Sequence, residues 1–301
     1  MVRVFYSPKY VGSGYAFETS RKAGWIADSL AGSPIAGIAL VEPNPMTRDQ
    51  VGQVHDGAYI RAVETGAPRN LAESQGFSWD AGLWPMVLAS NGGAVAAGLA
   101  ALEDGVAGSL SSGLHHARRE RGAGFCTFNG LVIAAREALA AGARSVLILD
   151  LDAHCGGGTR SLIEEEPRIW QVDVAVSSYD RYESSERIRL EIVGKSANYL
   201  PTVERSLKEV DRRGLRFDLC LYNAGMDPYE GCPTGGLRGI TREILVGRER
   251  RIFDWCRERD LPVGFVLAGG YVGSGLDEEG LVGLHRLTLS CAVEAGLTRR
   301  P

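Results

Sequence analysis

The stretch "LILDLDAHCGGGT" (147–159) ends an apolar run with Asp150, Asp152 and His154 at alternate positions, then breaks into three glycines. Ionisable groups at the end of a core strand need a partner, because desolvating them is costly. Side chains at i and i+2 share one face of a strand, so Asp152 and His154 converge if the strand stays extended through Ala153. One carboxylate and one imidazole suit Zn²⁺ or a similar divalent ion. Asp227, in "NAGMDPYEGC" (223–232), is a candidate third ligand from another strand end. Three protein ligands leave an open coordination position, as catalytic metals require. Gly156, Gly157 and Gly158 are expected to let the backbone turn and to leave room for substrate. Each feature also has a plainer reading: an Asp-x-Asp at a strand end can be loop solvation or capping, and Asp227 can be a turn former.

Two further polar clusters carry chemistry-bearing residues. His115 and His116 are adjacent in "SSGLHHARRERGAGFCTFNG" (111–130), and Tyr271 follows two glycines in "LAGGYVGSG" (267–275). A histidine pair alone is more often a core or surface feature, and Gly-Gly-Tyr alone is an ordinary turn before an aromatic. His55 and His285 fall inside helical patterns and read as structural. The weight comes from the clusters falling together at strand ends.

The elements that must position these residues alternate. Strand-like runs cover 2–6, 145–152, 168–178, 217–225 and 262–271. Helical periodicity covers 20–31, 56–65 with Asp56 as N-cap, 82–105, 130–143, 202–214, 241–259 and 278–296. Strands separated by such helices imply βαβ units and a parallel sheet. The strands are near-continuous apolar runs, as when both faces are covered. In such sheets ligands gather at the carboxyl ends of strands. The stretch 40–80 has the least periodicity and is expected to hold long loops.

The chain has 301 residues, 45% apolar and 23% charged, with a formal net charge of −4, which gives no general attraction to nucleic acid or anionic membrane. No C-x-x-C pair occurs among Cys126, Cys155, Cys220, Cys232, Cys256 and Cys291, so reduced thiols and a cytoplasmic location are expected. The start, "MVRVFYSPKY", reads as lacking a signal peptide. No run of about 18 apolar residues is expected to span a membrane.

Taken in order, "YSPKYV", "VHDGAYIRAV", "GLHHA", "GFCTFN", "LDLDAH", "GMDP" and "LAGGY" resemble the zinc-dependent histone deacetylase family. The resemblance covers most of the chain and implies a single three-layer α/β/α domain over 1–301, with a mostly parallel sheet of the arginase/deacetylase kind. It implies that Asp152, His154 and Asp227 hold one Zn²⁺ and that Tyr271 polarises the substrate carbonyl. His115 and His116 match the tandem histidines flanking the attacking water, and Asp150 the carboxylate paired with the first. Asp150, Asp152, His154 and Ser177 resemble a K⁺ site. Gly124 and Phe125 match one wall of an acyl-lysine tunnel, Tyr179 stands near a pocket position, and Gly269 and Gly270 border the site. The implied activity is hydrolysis of an N-acyl amide on acetyl-lysine, an acetylpolyamine or a related small acylamine. Oligomeric state stays open, a homodimer included.

The chain departs from the family pattern at several points. The motif usually continues His-His-Gly and then Asp or Asn; here Cys155 replaces a histidine, and Gly157 replaces the polar partner of His116. His116 is therefore expected to have lower basicity or to borrow another partner or a water. Cys155 reads as a small buried thiol, since neighbours on a strand point to opposite faces. Cys232 stands where relatives usually carry Asp, and "AFETSRK" (16–22) lacks the usual His-Pro pair. Two other functions remain open. An arginase-type ureohydrolase would need a binuclear manganese site, for which "DAHCGGG" offers few ligands. A non-catalytic acyl-amine binding protein would rest on the missing partner of His116.

Overall fold

A computed structural model describes residues 1–14 and 18–297; Ala16 and Phe17 of the "AFETSRK" stretch lie outside them. The strands are β1 (Val2–Phe5), β2 (Ile38–Val41), β3 (Val106–Ser109), β4 (Val146–Asp150), β5 (Ile169–Ala175), β6 (Ile188–Ile192), β7 (Leu219–Asn223) and β8 (Val263–Val266). They form one sheet in the order β2-β1-β3-β8-β7-β4-β5-β6, with every pairing parallel. The helices are α1 (Glu18–Gly32), α2 (Arg48–Gly52), α3 (Gly57–Thr65), α4 (Arg69–Ala72), α5 (Leu83–Asp104), α6 (Gly130–Ala140), α7 (Gly157–Ile163), α8 (Tyr199–Arg212), α9 (Arg242–Arg257) and α10 (Glu278–Leu297).

Period-2 alternation along the strands builds the layers. On β4, Leu147 and Leu149 join one buried cluster with α1, α8, α9 and α10, while Val146 and Ile148 join the other with α5 and α6. Both sheet faces are therefore covered, as the apolar runs require. Asp56 caps α3 as expected, accepting the Ala58 N–H at 2.7 Å. Helix α5 is long and apolar enough to cross a membrane by length and composition, contrary to the reading that no run would qualify; its Ala, Leu and Val residues raise the mean hydropathy across the polar Ser90 and Asn91, and it packs on α6 and the sheet instead.

Several elements differ from expectation. Strands β2, β3 and β6, of four or five residues each, lie outside the runs expected to be strands. In β3 the glycine is a packing requirement: a Cβ on Gly108 would run into the Phe265 ring. The stretch 40–80 carries α2 and α4 as well as α3. Most consequentially, β4 ends at Asp150 and residues 152–154 bend.

The sheet's geometry then does the assembling. Five neighbouring strands, in the order β3-β8-β7-β4-β5, each send the segment after their carboxyl end to the same edge. Those segments carry His115 and His116, Gly269 to Tyr271, Asp227, Asp152 with His154, and Ser177 to Asp180, respectively.

Candidate active site

Asp152 and His154 converge, but through a turn rather than an extended strand. The His154 N–H donates to Asp152 Oδ1 (3.0 Å), folding 152–154 back on itself. Each carboxylate is then pinned by a backbone N–H: Gly269 N–H to Asp152 Oδ2 (2.8 Å) and Ala153 N–H to Asp227 Oδ1 (2.9 Å). His154 Nδ1 stands 3.1 Å from Asp152 Oδ1 and 3.1 Å from Asp227 Oδ2. The three residues are buried, and one ligand atom from each lies within 4.8 Å of the others, so the group could hold a metal ion. The field there favours a cation: burial opposes charge on His154, but the two carboxylates outweigh it and raise the imidazole to about 11. Burial and the neighbouring Asp152 charge push Asp227 up to about 6. Two anionic carboxylates and one imidazole fit a divalent ion by charge and by donor type.

The tandem histidines sit beside this group, with ring centroids 4.0 Å apart. His115 Nδ1 is 2.7 Å from Asp150 Oδ2, and its Nε2 is 3.6 Å from Asp152 Oδ1. Burial opposes its charge, yet Asp150, Asp152 and Asp173 raise His115 to about 10. Asp150 also accepts from Asn223 Nδ2 (2.8 Å) and the Asp152 N–H (3.2 Å). Burial, and His115 alongside, lower His116 to about 4.

A narrow cavity is lined by His115, His116, Gly124, Phe125, Asp152 and Tyr271, among others. Burial, with Asp227 and Asp152 nearby, pushes the Tyr271 phenol up, so it stays a proton donor. The Phe125 and Tyr271 rings lie tilted by 57° with centroids 6.3 Å apart. Phe125 holds a left-handed backbone (φ 65°). The neighbouring Gly124 is required, because a Cβ there would stand 2.5 Å from His116 Cδ2. Tyr179, 50% exposed, sets its ring edge-on to His116 at 5.0 Å. Gly269 is equally constrained, since a Cβ would meet Asp152 Oδ2 at 2.5 Å. Gly270 has φ 154°, and a Cβ there would stand 2.6 Å from Leu281 Cδ1.

The three glycines after His154 do not make room for substrate. A Cβ on Gly156 would stand 2.7 Å from Asp150 Oδ2, one on Gly157 would meet Asp180, and one on Gly158 would meet the His115 and His116 backbones. They let the start of α7 press against the histidine pair, and the Thr159 N–H donates to His115 O (2.9 Å). Ser177 lies alongside, its N–H donating to Ala153 O (2.8 Å) and its Oγ accepting the Tyr179 N–H (3.2 Å). Cys155 Sγ turns to Ser177 O (3.3 Å), and Cys232 Sγ donates to Thr234 O (3.3 Å) in the loop beside Tyr271. His55 lies outside the helices. Its Nδ1 donates to Arg118 O (2.8 Å) and its Nε2 accepts the Asn129 N–H (2.9 Å), bracing the 115–129 segment. His285 is buried in α10.

Two residues escaped the sequence reading. Arg248 is fully buried on α9, ion-paired with Glu249, and donates to Leu151 O and Tyr199 Oη (3.1 Å each); its Nη2 faces Met226 Sδ (3.6 Å). It thus ties the residues preceding Asp152 and Asp227. Its signal was present: Leu245, Arg248, Glu249, Ile252 and Phe253 share one helical stripe. Asp180, whose Oδ2 is 2.9 Å from His116 Nδ1, had no periodic signal.

The histone deacetylase domain matches residues 16–280. The chain is 30% identical over 237 residues to an uncharacterized protein of Picosynechococcus sp., covering 77% of this chain and 78% of that protein. It is 31% identical over 255 residues to histone deacetylase 2 of Arabidopsis thaliana, covering 78% of this chain and 64% of the relative. The crystal structure of acetylpolyamine aminohydrolase from Burkholderia pseudomallei superposes with a TM-score of 0.79 at 20% identity, covering 97% of this chain and 98% of that one, and so shares its fold. With the domain matched over most of its length, the chain belongs to the histone deacetylase family and is an amidohydrolase of the deacetylase class.

Proposed function

We propose that the protein hydrolyses the amide of an N-acyl amine, either acetyl-lysine, an acetylpolyamine or a small relative, with one zinc ion held by Asp152, His154 and Asp227. The observation that carries this is the meeting of those three buried ligand atoms within 4.8 Å, beside a cavity walled by the tandem histidines and Tyr271. The similarity to an acetylpolyamine aminohydrolase supports an acylated amine as substrate.

The bound zinc would act as Lewis acid and lower the cost of deprotonating water. The residues of the chain do the rest. The Tyr271 O–H donates to the carbonyl oxygen as negative charge develops there. The imidazoles of His115 and His116 take the proton of the attacking water and deliver one to the leaving amine. Asp150 fixes the His115 tautomer by holding the proton on Nδ1. Phe125, Gly124 and Tyr179 wall the acyl-amine chain, and Gly269 and Gly270 bring backbone close without side chains in the way. A potassium ion at Asp150, Asp152, His154 and Ser177 belongs to the same reading, as does a cytoplasmic location, supported by six free, buried cysteines.

One group of three potential ligands exists among the described residues, which favours a mononuclear site over the binuclear manganese of a ureohydrolase. The non-catalytic reading rested on His116 lacking a partner, and Asp180 removes that support. The deciding experiment is a zinc-loaded activity panel over acetyl-lysine peptides, acetylpolyamines and small acetamides, with a hydroxamate control. Turnover of one class, blocked by the hydroxamate, is the expected result. Tight hydroxamate binding with no turnover, or two manganese per chain, would overturn it.

A further inference from the structure

We propose that Asp180 is the positioning residue of His116, and that residue 157 is glycine because Asp180, by its carbonyl oxygen and its carboxylate together, takes the space a side chain there would need. The inference rests on the reading of His116 as one of the two imidazoles serving the reaction, and it adds the group that aims it.

The carboxylate is fixed on both oxygens. Oδ2 stands 2.9 Å from His116 Nδ1 and accepts the Gly158 N–H at 3.2 Å. Oδ1 pairs with the Arg118 guanidinium, whose Nη1 donates to Gly157 O at 3.1 Å. Arg118 therefore ties the carboxylate and the start of α7 to the segment that carries the histidines. An acceptor held at Nδ1 keeps the proton there and leaves Nε2 of the neutral ring without one, in a residue that lines the cavity.

The backbone supports the same role. Asp180 has φ 60°, a left-handed conformation that non-glycine residues adopt at a cost and that collects at functional sites. Of the four such residues among those described, Leu114 and Phe125 also border the cavity. Tyr179, just before it, sets its ring edge-on to the same imidazole. One dipeptide after β5 thus grips His116 on two sides.

Exclusion explains position 157. A Cβ on Gly157 would stand 2.6 Å from Asp180 Oδ1 and 2.7 Å from its Cγ, and would also run into the Asp180 carbonyl oxygen. A side chain at 157 and residue 180 in this position, backbone and carboxylate alike, cannot both be present. The orienting group of His116 has moved from the turn after β4 to the segment after β5.

Three variants test this. Asp180→Gly removes the carboxylate and relaxes the left-handed backbone. Asp180→Asn keeps one acceptor oxygen for two donors, His116 Nδ1–H and the Arg118 guanidinium, and tolerates the same φ. Gly157→Ala leaves Asp180 in the chain but displaces it. The readouts are kcat and KM of zinc-loaded protein on whichever substrate the panel identifies, metal content, and the imidazole Nδ1–H proton of His116 by NMR of [¹⁵N]histidine-labelled protein. Asp180→Gly is expected to lower kcat about 10- to 100-fold, the usual size for removing a group that orients an active-site histidine, with KM within about twofold, metal retained and the Nδ1–H resonance lost. Gly157→Ala should behave likewise, and Asp180→Asn should fall between Asp180→Gly and the parent, since its single oxygen cannot accept from both Arg118 and His116. A kcat within twofold of the parent in Asp180→Gly, or a His116 Nδ1–H resonance that persists there, overturns the proposal. Should Asp180→Gly not fold, the same two readings on Gly157→Ala decide. If the parent turns over no substrate, the deacetylase reading fails, and the NMR readout still decides on Asp180.

Discussion

His115 Nδ1 and Asp150 Oδ2 stand 2.7 Å apart in the interior, and Asn223 Nδ2 occupies the other oxygen of that carboxylate at 2.8 Å. The arrangement is polarised: one oxygen is already committed to an amide donor. In Asp150→Asn, the side-chain oxygen would stay with Asn223 and the new amide N–H₂ would face His115, forcing the wrong tautomer. We expect kcat to fall about 10²–10⁴-fold, by analogy with other carboxylate–histidine pairs, with fold and metal content kept. Steady-state kinetics with metal analysis checks this; a loss under threefold would remove Asp150 from the reaction.

Tyr271 lines the cavity opposite Phe125, and its phenol is held protonated. Tyr271→Phe should retain metal and lose about 10²–10³-fold in kcat, the size typical of one oxyanion donor. A fully active Tyr271→Phe would assign carbonyl polarisation elsewhere.

Gly269 touches both ligand carboxylates. Its N–H holds Asp152 Oδ2, and a Cβ would stand 2.5 Å from that same oxygen. Gly269→Ala should therefore fold, by circular dichroism, yet lose bound metal on dialysis at concentrations where the parent keeps it. Equal metal retention in the two proteins would contradict the packing argument.

Arg248 is buried against Glu249 and holds the carbonyl before Asp152. Arg248→Met leaves Glu249 charged in the interior, a change that costs about 3–5 kcal/mol when one partner of a buried pair is lost. The double variant Arg248→Met, Glu249→Gln should recover part of that stability but not the metal affinity. Denaturant midpoints together with metal titration separate the two effects.

His55 gives a pH test outside the metal group. Burial lowers it from 6.5 to about 4, although the Arg118 and Arg119 backbone hydrogen bonds act to raise it. The unfolded chain then binds more protons between those values, so this contribution is full above pH 6.5 and is lost as pH falls towards 4. The loss is about 2 kcal/mol by pH 5 and about 3 kcal/mol by pH 4. Urea midpoints of His55→Gln should fall less steeply from pH 7 to pH 5 than those of the parent. Parallel slopes would mean that His55 is not the group being charged.

The sequence by itself determined the parallel sheet, because helical and apolar periods alternate and buried strands read as continuous runs. It also determined which residues could hold a metal, because two carboxylates and an imidazole at strand ends are donor types that suit a divalent ion. It did not determine how they meet. The strand stops at Asp150, and a side chain-to-backbone hydrogen bond, invisible in a period-2 pattern, turns His154 back onto Asp152. Nor did it determine what steers His116, since Asp180 lies 64 residues away and arrives only through the β4–β5 pairing. Residue type and spacing carry local periodicity and chemical capacity. Which distant groups share a point depends on strand order and on which Cβ atoms the packing excludes, and the tertiary structure alone decides that.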